Sequence, residues 1–177
     1  MKLLLHICCG VCAIELIKKF RQDGYQITGY FYNPNIHPYL EFKKRMRAVE
    51  VLAEQEKIEV YYEKEYGLKN YLRAVVFKED ERCGICYDLR LKKTAEFARA
   101  NNFDAFSSTL IISPQQNQAL IKETGLKIVE DAGIKFIYDN VTDRYAQSKE
   151  SAKQRCLYSQ KYCGSVYSEY ERYHHKG

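Results

Sequence analysis

Apolar residues follow two rhythms along this chain, short unbroken runs and longer stretches spaced three and four apart, and the two alternate. Residues 2–7, KLLLHI, are nearly all apolar without polar alternation, the pattern of a strand buried on both faces. Residues 13–22 place Ile14, Ile17 and Phe20 on one helical face and end at Asp23 and Gly24, where glycine can take the left-handed C-terminal position. Residues 25–33 are β-branched and aromatic and read as a second strand. After the segment NPNIHPY comes a basic helix over residues 40–56, then a strand at 58–62 and a shorter helix near 68–77. The polar stretch KEDER links to a helix that begins around Cys86. Residues 103–108 give another strand, 117–132 a helix and 134–139 a last strand. This alternation predicts an α/β fold: a mostly parallel open sheet with helices on both faces and right-handed crossovers. No repeat, low-complexity tract or linker interrupts it, so the 177 residues read as a single domain, long enough to form a core without disulfides.

Composition narrows the setting. The seven cysteines are Cys8, Cys9, Cys12, Cys83, Cys86, Cys156 and Cys163, an odd number with five in two short clusters. A secreted disulfide framework is usually even in number and denser in a shorter chain. The seven residues before the first cysteine are too few for a signal-peptide core, and no apolar run approaches a membrane span. These features point to a reducing cytoplasm and no membrane, where clustered cysteines serve metals or redox catalysis. Lys and Arg number 28 against 23 Asp and Glu, a formal charge of +5. That excess falls short of a dedicated nucleic-acid binder, although 16 Tyr and 8 Phe offer rings for stacking. Cys156 reads as an ordinary buried cysteine on a helix.

The order of elements locates the chemistry. In open α/β sheets, ligands gather outside the carboxyl ends of the strands, where the next helix presents unpaired N–H groups. HICCGVC occupies that point after the first strand, with Gly10 allowing a sharp turn and a helix N-terminus favouring thiolate over thiol. NPNIHP and SSTLIISPQQN follow two further strands and should open on the same rim. A second pair, Cys83 and Cys86, stands at a helix start as C-x-x-C. Together with Cys9 and Cys12 it fits a four-cysteine zinc site. Four thiolates suit an iron–sulfur cluster equally well, and adjacent cysteines can ligate different corners of one. Cys8, left over by a closed zinc site, weighs toward the cluster; zinc stays open as the alternative.

Five segments in chain order, HICCGVC, YFYNPNIHPYLEFKKR, RCGICYDLRLKKTA, STLIISPQQN and LYSQKYCG, resemble the epoxyqueuosine reductases of the QueH type. The resemblance covers nearly the whole chain. It implies the last step of queuosine synthesis on tRNA: two-electron deoxygenation of the epoxide on the wobble base, giving the cyclopentene and water. It also implies that residues 1–177 form one iron–sulfur tRNA-modification domain, with a sheet related to the adenylating enzymes (the HUP or PP-loop-like class). CCGVC stands where those enzymes carry a phosphate-binding S-G-G-x-D-S loop, which argues against ATP use and against a nucleotide-activating enzyme.

No flavin or nicotinamide fingerprint appears, so the resemblance assigns the electrons to a 4Fe-4S cluster on Cys8, Cys9, Cys83 and Cys86. An external donor such as ferredoxin or flavodoxin would reload it. Cys12 is then the spare thiol, facing the substrate or holding a second metal ion, iron. Proton donation falls to a thiol such as Cys12 or Cys163, to His6, or to an acid in KEDER. The family commonly ends in YCGC, which reads as a redox pair; Ser165 here replaces its second cysteine. A wobble base splayed into a pocket needs stacking and hydrogen bonds around it and phosphate contacts outside. Candidates beside the base are Tyr32, Asn33, Asn35 and His37, with Tyr30 and Tyr39, while Arg82 and Arg90 bracket a cysteine pair. Arg45, Arg47, Arg90, Lys92 and Lys93 are candidate phosphate partners. The competing reading is a zinc-stabilised RNA-binding module.

Overall fold

The computed structural model describes residues 1–174. Five strands form one sheet in the order β3-β2-β1-β4-β5, every neighbouring pair parallel. They are β1 (Lys2–His6), β2 (Gln26–Phe31), β3 (Val60–Tyr62), β4 (Ala105–Ser108) and β5 (Lys135–Phe136). The helices are α1 (Gly10–Gln22), α2 (Tyr39–Glu56), α3 (Leu68–Val75), α4 (Arg82–Ala100), α5 (Gln118–Ala132), α6 (Tyr145–Gln154) and α7 (Val166–Tyr173). Helix α1 packs against α2 and α6, and α4 against α5, so the sheet lies between helical layers. β1 is central because Leu3, Leu4 and Leu5 are all fully buried, which requires cover on both faces. Gly29 on β2 admits no side chain, since a Cβ there would come within 2.8 Å of both Ile7 and Val60. No helix among the described residues is long and apolar enough to cross a membrane.

Three elements depart from the pattern-based expectation, two of them at the cysteines. Helix α1 starts at Gly10 rather than at residue 13, directly after Cys9, so Cys12 lies in its first turn. Gly10 is needed for a close crossing: a Cβ there would meet the Ala48 carbonyl of α2 at 3.2 Å. Helix α4 starts at Arg82 rather than around Cys86, because Glu79–Glu81 form a short 3-10 turn that leads into it. Cys83 and Cys86 therefore share one helix face, one turn apart. The last strand shrinks to Lys135–Phe136, an edge strand that pairs only with the short β4.

The C-terminal quarter holds two helices that hydrophobic periodicity does not announce. α6 buries only Ser148 and Ala152, and α7 buries nothing. Polar contacts and two half-buried tyrosines, Tyr145 of α6 and Tyr167 of α7, dock them. The Ser148 hydroxyl donates to the Val11 carbonyl at 2.6 Å, fastening α6 to α1. Cys156 is exposed and lies beyond the end of α6 with φ 53°, not buried on a helix; Leu157 is the residue that turns inward.

From there the chain returns over the rim of the sheet. Arg45 of α2, 1% exposed, pairs with Glu41 at 2.7 Å and donates to the carbonyls of Cys163 at 2.8 Å and Tyr162 at 2.9 Å. The His37 N–H donates to the Gly164 carbonyl at 2.7 Å, and the Tyr162 hydroxyl donates to the His37 carbonyl at 2.7 Å. Gly164 sits at φ 149°, a backbone conformation open in practice to glycine alone. Ser165 then caps α7, its hydroxyl accepting the Ser168 N–H at 3.2 Å.

The His37 ring is fully buried between Tyr66 and Tyr71, and burial pushes its pKa down to about 4. A folded-state pKa below the unfolded value of about 6.5 means that protons favour the unfolded chain. Stability is therefore complete above pH 6.5 and falls as pH drops toward 4, by at most about 3 kcal/mol from this group. Denaturant titrations across that range should show the decline, and a flatter profile for His37→Phe.

Candidate active site

The carboxyl ends of β1 and β4 flank the point where strand order reverses, and Cys8 and Thr109 meet across it. The Thr109 hydroxyl accepts the Cys8 N–H at 3.0 Å and donates to Cys8 Sγ at 3.2 Å. Cys8 Sγ lies 3.7 Å from Cys9 Sγ, and the sulfurs of Cys8, Cys9 and Cys12 all fall within 4.8 Å of one another. Among the described residues no other three His, Cys, Asp or Glu ligand atoms gather so closely. Such a group could hold a metal ion, and its all-sulfur donors suit a soft one. Hydrogen bonds from Cys12 and Cys9, helped by Thr109 and Arg90, hold the Cys8 thiol well below its usual range in spite of burial. Cys12, bonded to Cys8 and Cys9 and buried, is pushed well above it.

A cavity of about 250 Å³ opens beside Cys8 and Cys12. Gln160 reaches in from the returning segment and donates Nε2–H to Cys9 Sγ at 3.0 Å, while its buried Oε1 has no partner. An adjoining cavity of about 160 Å³ is lined by Cys83 and Cys86. Burial pushes the Cys86 thiol up to about 12, with Arg90 acting against it. Arg90, Gln115, Gln116 and Cys163 line both cavities and so join the two cysteine groups. Gln116 is held by the Tyr87 hydroxyl, which donates to its Oε1 at 2.9 Å, and turns Nε2 toward Cys163 Sγ at 3.3 Å.

Arg90 is 2% exposed, one turn beyond Cys86 on α4. Its Nε donates to the Cys86 carbonyl at 3.2 Å, and among the described residues Nη2 has no partner and the guanidinium forms no ion pair with a carboxylate. Burial opposes its charge, yet the thiols of Cys86, Cys163 and Cys8 outweigh burial and raise its pKa.

The remaining candidates divide by position. Asn35 and Arg82 line the Cys83–Cys86 cavity, Arg82 paired with Glu171 of α7. His6 is fully buried, its Nδ1 2.8 Å from the Ser108 hydroxyl and its Nε2 3.0 Å from the Tyr32 carbonyl, and it lines neither cavity. Burial, then the charge of Arg90, bring its pKa down to about 4, so it ties β1 to its neighbours as a neutral ring. Asn33 does similar work, donating Nδ2–H to the Ile7 carbonyl at 2.9 Å. Tyr32 and Lys93 face a separate cavity with Glu63 and Glu65. Tyr30 is buried with its ring stacked on Phe97, Tyr39 is exposed, and Arg47 pairs with Glu50 at 3.0 Å. Thr109, Gln116, Gln160 and Tyr145 belong to the site although residue chemistry in the sequence did not single them out. The first three lie inside the quoted motifs; Tyr145 begins a helix with no apolar stripe to reveal it.

The family model described as Epoxyqueuosine reductase QueH matches residues 3–171. A protein named Epoxyqueuosine reductase QueH from Dehalococcoides mccartyi is 38% identical over 172 residues, covering 97% of this chain and 94% of its own. Another of that name from Thermotoga maritima is 34% identical, over 96% of this chain and 91% of its own. Among solved structures, a predicted subunit of a tRNA methyltransferase from Methanocaldococcus jannaschii aligns over 88% of both chains with a TM-score of 0.53 and 11% identity, a shared fold. Matched almost from end to end, with the thiols of its first motif closed into one group at the ligand rim, the chain belongs to the epoxyqueuosine reductase QueH family.

Proposed function

We propose that this chain is an epoxyqueuosine reductase of tRNA, working in the cytoplasm with a 4Fe-4S cluster held by Cys8, Cys9, Cys83 and Cys86. The observation that supports the cluster is Arg90, a buried guanidinium with no carboxylate partner, placed where both cysteine groups meet. A buried charge of this kind costs several kcal/mol unless opposite charge offsets it. Four metal-bound thiolates supply that charge, since a coordinating metal deprotonates even a thiol as weakly acidic as Cys86. The donor set is all sulfur, as iron–sulfur clusters require. When bound, the cluster supplies electrons delivered by an external protein such as ferredoxin or flavodoxin.

Deoxygenation of the epoxide takes two electrons and two protons and yields an alkene and water. The cavity beside Cys8 and Cys12 is about 250 Å³, small enough to take one splayed base and not a paired stem. Cys12 keeps its proton on Sγ at neutral pH and can release it to the departing oxygen, or it holds a second iron ion. Arg45 and Arg90 place positive charge on the walls, where developing alkoxide gains most from it. The unpartnered Oε1 of Gln160 accepts a hydrogen bond from a substrate N–H or O–H. Cys163, at the junction of the two cavities, is the other thiol within reach of substrate. No observation favours the zinc-stabilised RNA-binding module.

Anaerobic purification with metal and sulfide analysis tests the cofactor: iron and acid-labile sulfide are expected, and colourless protein with a single zinc overturns it. Substituting Ala for any one of Cys8, Cys9, Cys83 or Cys86 should leave iron and sulfide sharply depleted. Wild-type stoichiometry in Cys8→Ala would remove Cys8 from the ligand set and put Cys12 there.

Ser165→Cys should not raise turnover of epoxyqueuosine-containing tRNA under a reducing donor, because Ser165 is engaged as the cap of α7. It should lower stability by about 1 kcal/mol through loss of that cap. A large gain in turnover would show that a 163–165 pair takes part.

A further inference from the structure

The thiol cavity has an asymmetric wall. Arg45, Arg90, Lys149, Lys161 and Arg172 line it, and no carboxylate does. Arg45 and Arg90 are buried and face inward. Lys149, Lys161 and Arg172 are exposed at the mouth and make no ion pair among the described residues, unlike Lys19, Arg21 or Arg155, which are paired with acids. They come from α6, from the returning segment and from α7. Tyr145, Lys149 and Ser159 also line an open groove of about 750 Å³ that runs on from the cavity past Lys153, with Glu150 its one acid. Lys149 and Lys153 are four apart on α6 and so share a face. Tyr145 stands where groove and cavity join, its ring half-buried.

A polyanion with one base to insert fits this arrangement: phosphates meet the unpaired cations outside, and the base turns inward past a ring. The alternative approach over α4 is less favourable for an anion, because Lys93 shares its cavity with Glu63 and Glu65. Resting on the reading of the chain as a tRNA-base reductase, we propose that the anticodon loop lies across α6, the returning segment and α7. Lys149, Lys161 and Arg172 hold its phosphates at the cavity mouth, and Tyr145 stacks at the entrance.

Each phosphate contact releases counterions, so log affinity falls with log salt by about 0.7 per contact for a single-stranded segment. Binding of an unmodified anticodon stem–loop RNA at several salt concentrations reads this without any need for turnover. The triple variant Lys149→Gln, Lys161→Gln, Arg172→Gln should bind at least about tenfold more weakly at moderate salt, with the slope reduced by about 2. Lys149→Arg with Lys161→Arg should retain the wild-type slope. Lys122→Gln, Lys127→Gln, Lys135→Gln removes the same net charge from the α5 side and should leave binding unchanged. A triple variant with the wild-type slope overturns the proposal, as does a slope lost instead in Lys92→Gln with Lys93→Gln. Intact RNA binding with slower reduction by an acidic electron-donor protein would also overturn it and assign the patch to that donor. Absence of salt-dependent RNA binding in the wild type would be a different result, the failure of the tRNA reading itself.

Discussion

A guanidinium taken out of water without a carboxylate must find its counter-charge elsewhere, and Arg90 finds it in sulfur. Its pKa rises through Cys86, Cys163 and Cys8, one from each of the three chain segments that meet at the rim. That single charge links α4, the loop after β1 and the returning C-terminal segment, elements more than seventy residues apart in sequence. Arg90 lowers the Cys8 thiol and acts against the burial that raises Cys86, and the sulfurs raise its own pKa in return. An apolar side chain in its place would remove a charge that favours the Cys8 thiolate and opposes the burial of Cys86.

The second guanidinium has a different task. Arg45 has its own carboxylate in Glu41, so its remaining donors are available for backbone carbonyls, and it uses them on Tyr162 and Cys163. This holds the returning segment against α2 at the level where Gln160 meets Cys9. Gly164 and the Ser165 cap then turn the chain into α7, so a serine after that glycine is explained by local structure alone. This chain gives the position to a helix cap.

Much of the sheet was legible because its signal is local: an unbroken apolar run in β1, and Ile14, Ile17 and Phe20 on one face of α1. The rim position of CCGVC followed from element order alone, and the Cys8–Cys9–Cys12 group forms there. The C-terminal helices were hidden, since both are short, α6 buries only Ser148 and Ala152, and α7 buries no residue fully. For the same reason Cys156 was misplaced on a helix that ends before it. Tyr32 and Asn33 lie at a strand end beside the cysteines in the chain's topology, yet their side chains turn elsewhere. Strand order identifies the rim; which face of the rim a side chain serves depends on packing that no single-sequence pattern encodes.

The opening of α1 shows how one architecture can exchange its chemistry. Helix N-termini at a switch point leave N–H groups unpaired and attract anions, which is why phosphates bind there in many α/β proteins. In this chain Cys9 occupies the N-cap with no side-chain hydrogen bond to the helix N–H groups, and the first turn holds no acid, so the positive end of the helix is unsatisfied by its own side chains. The anion this loop can supply is the Cys8 thiolate, which accepts hydrogen bonds from Cys12 and Cys9. The field that would orient a nucleotide instead favours thiolate over thiol at Cys8.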